Sequence, residues 1–150
     1  MRAILAPFAA ALFALSQAAL AEESAPPTLP PVAASEVSLA DLLWLKRPVV
    51  VFADSPNDPA YQIQLEYLAE DPGPLIERDV VILVDTDPAN PSEARQKLRP
   101  RGFSMVLLDK DGAVKLRKPL PWSVREIVHA IDKFPLRRQE IRERRARGAG

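Results

Sequence analysis

Two short runs, Val49-Val50-Val51-Phe52-Ala53-Asp54 and Val80-Val81-Ile82-Leu83-Val84-Asp85, constrain this chain most. Each is apolar throughout and ends in a carboxylate. A strand that is apolar at every position, not at every second one, is covered on both faces. Such strands belong to parallel sheets flanked by helices. Between the runs, Asp58 is a good N-cap and Pro59 a good first helical residue. They predict a helix from about Ala60 to Glu70, with Ile63, Tyr67 and Leu68 inward, ended by Asp71-Pro72-Gly73-Pro74. The result is one βαβ unit with a right-handed crossover.

The elements around this unit follow from local signals. Ser38 starts a short helix through Lys46, with Asp41 placed as in a capping box and Leu42, Leu43, Trp44 and Leu45 as core. A turn after Asp85 leads to a helix from Ser92 to about Leu98. Phe103 to Leu108 and Ala113 to Lys118 read as two strands joined by Asp109-Lys110-Asp111-Gly112, where Gly112 is free to take positive φ. The second of them suits a sheet edge, since Lys115, Arg117 and Lys118 discourage edge pairing. Ser123 and Glu126 form a capping box. Trp122 is placed to staple onto Ile127, and Val124, Ile127, Val128 and Ile131 line one helical face. His129, the single histidine, falls beside that stripe and reads as a surface residue. Pro135 breaks the helix.

At 150 residues the chain suits one domain. Met1-Arg2, the apolar run Ile4 to Leu15 and Ala19-Leu20-Ala21 read as a signal peptide over 1–21, cleaved before Glu22. The run is too short to span a bilayer. The implied location is the periplasm or the outside. Residues 22–37, rich in proline and alanine, read as a disordered linker. The folded domain is expected over 38–136, followed by a basic tail over 137–150. The chain has no cysteine, so disulfides and thiol chemistry are both excluded.

A formal net charge of zero hides a division. Residues 22–94 carry three Lys/Arg against 14 Asp/Glu, and residues 95–150 carry 16 against six. Either the basic half meets an anionic partner, or the halves neutralise each other in the fold. Candidate anion-binding residues are Lys110, Lys115 and Arg117 on the hairpin and Arg137 and Arg138 on the tail. Strand alternation would put Lys115 and Arg117 on one face. The partner would be a protein or an anionic envelope component such as a lipid head group, lipopolysaccharide or acidic glycan. The tail offers a peripheral contact with a membrane surface; nucleic acid is not expected. Asp54 and Asp85, each ending a parallel strand, are the alternative site, where carboxylates could hold Mg²⁺ or Ca²⁺. They serve equally well as caps and turn residues. No cofactor is expected.

The order βαβ then ββα, with a leading helix, resembles the three-layer α/β thioredoxin fold. Thioredoxins carry a pattern close to RGIPTLLLFKNG, and residues 101–112 read RGFSMVLLDKDG. Their DQNP resembles Asp85 to Pro88, and their CGPC falls near Asn57 to Ala60. Asn57 and Ala60 then stand where the two thiols would be, and Ser104 stands at the place of the cis-proline. The CxxC and cis-Pro determinants of thiol exchange are both missing. A second resemblance covers about Leu39 to Arg144. It is to a thioredoxin-like family of unknown function, also described as peroxiredoxin-like. The family occurs in secreted bacterial proteins and in animal matrix proteins with sushi repeats. Its marks, K-D-G-x-x-K-x-R and I-D-x-x-P-x-R-R, fall on Lys110, Asp111, Gly112, Lys115 and Arg117, then Ile131, Asp132, Pro135, Arg137 and Arg138. Phe134 departs from the methionine many relatives carry. The resemblance brings no settled activity; without the thiols, the first reading is a non-catalytic secreted module, a thioredoxin-like scaffold used for binding. The alternative is an enzyme that uses a divalent cation at the acidic strand ends.

Overall fold

The computed structural model describes residues 24–149, so the expected signal peptide and its cleavage point at Ala21/Glu22 lie outside the described residues. Among the described residues, five strands form one sheet: β1 (Val32–Ala33), β2 (Arg47–Phe52), β3 (Val80–Asp85), β4 (Ser104–Leu108) and β5 (Val114–Lys118). Their spatial order is β1-β3-β2-β4-β5. The two apolar runs are neighbours and parallel, from Arg47 opposite Val80 to Phe52 opposite Asp85. β4 runs antiparallel to β2, and β5 antiparallel to β4 at the edge.

Among the described residues, five α-helices surround the sheet: α1 (Pro59–Glu70), α2 (Pro72–Glu77), α3 (Glu93–Leu98), α4 (Val124–Ile131) and α5 (Pro135–Gly148). Alternation along the strands sends side chains to both faces, and both faces are covered. Val49, Val51, Ile82, Met105 and Leu107 pack with Tyr61, Leu68, Leu75, Ile127 and Ile131 of the α1, α2 and α4 layer and with Phe134, which precedes α5. On the other face Val50, Phe52, Leu83, Val106 and Leu108 meet Ala34, Leu39, Ala94 and Leu98. This is the three-layer arrangement expected from the runs.

The capping box of α4 is present in full. Glu126 N–H donates to Ser123 Oγ at 3.3 Å, and the Glu126 carboxylate accepts from Ser123 N at 2.8 Å. Asp58 caps α1 by accepting from Ala60 N at 2.8 Å. Gly112 takes φ +82, as its turn requires, and a Cβ there would lie 2.9 Å from Leu43 Cδ2.

Other expectations need correction. Val32 and Ala33, placed in the disordered linker, pair in parallel with Leu83 and Val84. The free edge of β3 gives their backbone groups partners that two residues of sequence do not advertise. The helix from Ser38 shrinks to a 3₁₀ turn over Leu39–Leu42, and Ser38 makes no side-chain cap. Leu43, Trp44 and Leu45 are exposed, Trp44 at 63%. Trp44 has φ +64 and its N–H donates to Lys110 O at 2.7 Å, which swings the chain out of the turn. In α1 the inward residues are Tyr61, Gln64 and Leu68, not Ile63, which is exposed. Gln64 turns inward because its amide has a use there. It donates to Trp122 O at 2.8 Å and accepts from Trp122 N at 2.9 Å. The segment expected only to end α1 also begins α2, with Pro72 at a position where proline costs no hydrogen bond. The expected boundary between 136 and 137 divides α5 near its start, and Arg137 is buried.

Candidate functional site

The stretch between β2 and α1 holds the residues that the sequence resemblance sets against the thioredoxin thiols. Asp54 and Asn57 are exposed, and Ala60 sits in the first turn of α1. Ser104 opens β4 opposite Phe52 and is buried. Nothing at Asn57 or Ala60 can attack a disulfide or a peroxide, because neither side chain ionises to a nucleophile.

Asp85 ends β3 on the row that runs Asp85, Phe52, Ser104 across the sheet. Its oxygens are already occupied. Ser92 Oγ donates at 2.6 Å, Arg95 Nε at 3.0 Å and Asp87 N–H at 3.1 Å. Burial alone would raise this carboxyl; the Ser92, Asp87 and Arg95 donors outweigh it and hold it below the ordinary carboxylate range. Arg95 also donates to Ala53 O at 2.9 Å and lies 5.3 Å over the Phe52 ring. Asp85 therefore serves as an anchor for α3. Among the described residues no group of three or more His, Cys, Asp or Glu is placed to share a metal ion.

The five basic residues singled out from sequence separate into two kinds. Lys110 and Arg137 are engaged inside the domain. Lys110 Nζ lies 2.7 Å from Asp79 and 2.9 Å from Glu140. Arg137 reaches Glu140 at 3.3 Å and Glu77 at 3.4 Å. Its Nε, 3.6 Å from Asp132, has no hydrogen-bond partner among the described residues. At the centre of this network is Arg47, fully buried at the start of β2. It donates to Asp109 at 2.9 Å, to Glu140 at 3.0 and 3.2 Å, and to Arg78 O at 3.1 Å. Burial pushes the Glu140 carboxyl up, but Arg47 and Lys110 prevail and lower it to about 2. Arg78 pairs with Asp132 at 2.8 and 2.9 Å, a donor pair that holds the Asp132 carboxyl low. Lys110–Asp79 and Arg137–Glu77 join cations of the basic half to anions of the acidic half, while Arg47 and Arg78 run the other way, pairing with Asp109, Glu140 and Asp132.

Lys115, Arg117 and Arg138 form no ion pair among the described residues. Lys115 and Arg117 do not share a face as alternation predicts. Leu107 pairs with Leu116 but Leu108 with Val114, so Lys115 is the extra residue of a bulge. A bulge re-aims its side chain, and the Lys115 ammonium lies 5.8 Å over the Phe134 ring. Arg117 lines the opposite side, beside the loop after α3. Arg138, with Arg142 and Arg145, recurs at i, i+4 and i+7 on an exposed stripe of α5. Sequence reasoning missed Arg47, Asp109 and Glu140 as one cluster. The available signal was a charge at the end of an apolar run, Arg47 at the start of β2 and Asp109 after β4.

A family model described as "Domain of unknown function (DUF4174)" matches residues 38–140. Among solved structures, the chain is similar to the reduced 2-Cys peroxiredoxin of Plasmodium vivax, at 17% identity over 64% of this chain and 81% of that one, with a TM-score of 0.52. It is also similar to a chloroplastic thioredoxin z, at 19% identity over 73% and 98% of the two chains, with a TM-score of 0.50. At these identities the likeness is one of fold: a thioredoxin-like α/β domain, here without cysteine.

Proposed function

We propose, for a chain that belongs to the DUF4174 family, a non-catalytic role as a redox-inert interaction module that docks on an anionic surface through α5. The observation that carries this reading is the division of labour on that helix. One side holds Arg137 and Glu140, which are built into the domain by Arg47, Lys110 and Glu77. Another side presents Arg138, Arg142 and Arg145 to solvent with no acidic partner among the described residues. A helix anchored in this way offers its guanidinium stripe without the ordering cost a floppy tail would meet on binding.

The signal-like residues 1–21 favour an extracytoplasmic setting, in the periplasm or outside the cell. There the matching anions are lipid head groups, lipopolysaccharide and acidic glycans. The test uses the full mature chain and vesicles of phosphatidylcholine with and without phosphatidylglycerol. Binding should need the anionic lipid and should fall steeply with salt. The variant R138Q/R142Q/R145Q should bind more weakly by on the order of 100-fold, since each Lys or Arg near such a surface contributes about 1 kcal/mol. Equal binding by the parent and this variant, at low and high salt, would overturn the proposal.

A further inference from the structure

A second basic feature is unrelated to α5. α3 ends at Arg99, which takes the left-handed conformation at φ 48, and Gly102 takes φ +56. These two turns fold the loop from Arg99 to Phe103 back beside the edge strand, where Arg117 stands opposite Val106. Arg99, Arg101 and Arg117 thereby line one open cleft of about 470 Å³, with Phe103 and Pro119 as apolar wall and Ser104 among its lining.

The three guanidiniums form no ion pair and no side-chain hydrogen bond with any described residue, and no carboxylate lines the cleft. Ser104, 5% exposed, also lines the cleft and brings a hydroxyl to it. Elsewhere the fold pairs arginines with carboxylates, as at Arg47, Arg78, Arg95 and Arg137. Three like charges gathered without a counter-ion oppose one another, and a multiply charged anion reverses the sign of that interaction. Planar guanidinium forks match tetrahedral oxyanions, and a hydroxyl supplies one further donor. Phe103 and Pro119 would cover an organic group attached to the anion.

We infer that the cleft between the Arg99–Phe103 loop and β5 binds a phosphomonoester, with Arg99, Arg101 and Arg117 on the phosphate and Phe103 and Pro119 against its organic part. A phosphomonoester carries nearly two negative charges at neutral pH and so answers the triple positive charge better than a carboxylate does.

Phenyl phosphate is the probe, titrated into the full mature chain by calorimetry. Saturable one-to-one binding is expected. R117Q and R99Q/R101Q should each weaken it about tenfold or more, with unchanged melting temperatures because all three residues are exposed. R138Q/R142Q/R145Q should leave it unchanged, so this site and the α5 surface stand or fall separately. Four results would overturn the inference: no saturation; R117Q binding as tightly as the parent; benzoate binding as tightly as phenyl phosphate; or inorganic phosphate matching phenyl phosphate, which would leave the apolar wall without a role.

Discussion

Gln64 and Trp122 hold each other twice across 58 residues of sequence, amide N–H to carbonyl at 2.8 Å and backbone N–H to amide oxygen at 2.9 Å. The Gln64 side chain thereby acts as a peptide group, satisfying the backbone of the residue that leads into α4. Its burial is complete. Gln64→Ala leaves the N–H and C=O of Trp122 without partners and opens a void in the α1–α4 contact. A loss of about 2–4 kcal/mol is expected in urea unfolding. A loss below about 0.5 kcal/mol would show that water replaces both bonds.

Arg47→Ala should cost about 3–5 kcal/mol, because it leaves Asp109, and part of Glu140, buried without a countercharge. The Asp109 Oδ2 atom already lacks a partner among the described residues, so little slack exists at that site. Chemical denaturation with an unchanged m-value is the measurement. A variant as stable as the parent would mean the pair is dispensable.

Two truncations separate anchor from stripe. Ending the chain before Arg137 removes Arg137 and Glu140, and should lower the melting temperature markedly. Ending it after Ile141 keeps both anchors, removes Arg142 and Arg145, and should leave the melting temperature nearly unchanged while weakening vesicle binding. Equal melting temperatures for the two shortened chains would contradict the role given to Glu140.

Glu140 also sets an acid limit. Its folded-state pKa is about 2, against 4.5 for the free side chain. The anion is the form that Arg47 and Lys110 hold, so its contribution is complete above pH 4.5 and is lost as pH falls toward 2. Linkage puts the size at no more than about 3 kcal/mol. E140Q should be less stable at neutral pH and show a flatter acid limb in a pH series of unfolding free energies. An acid limb of the same steepness in both proteins would refute this.

Purified mature protein should not reduce insulin disulfides or consume hydrogen peroxide above a denatured control, because no residue supplies a thiolate. Turnover above that control would require a different chemistry at the Asn57–Ala60 loop.

What could be read from the sequence was local. The two apolar runs announced buried parallel strands because a period of one is a strand covered on both faces. Ser123 and Glu126 announced α4 because a capping box needs only four residues. What could not be read depends on distant partners. Gln64 looks like a solvent-facing amide until Trp122 arrives beside it. Leu43, Trp44 and Leu45 look like core, but the turn into β2 points them outward. Lys115 obeys alternation until a bulge removes it from the ladder. For the candidate surfaces, composition showed the excess of arginine in the second half. It could not show that Arg137 turns inward and Arg138 outward, nor that Arg99, Arg101 and Arg117 meet.

The Arg47–Glu140 pair, separated by 93 residues, also bears on the order in which the fold can close. Arg47 lies in the central strand, yet one of its two carboxylates is on α5, far along the chain. A nascent chain that has already made β2, β3 and β4 still carries an only partly compensated guanidinium at its centre. Closure then waits for the synthesis of α5, and a chain released short of Glu140 would be an open, protease-sensitive intermediate.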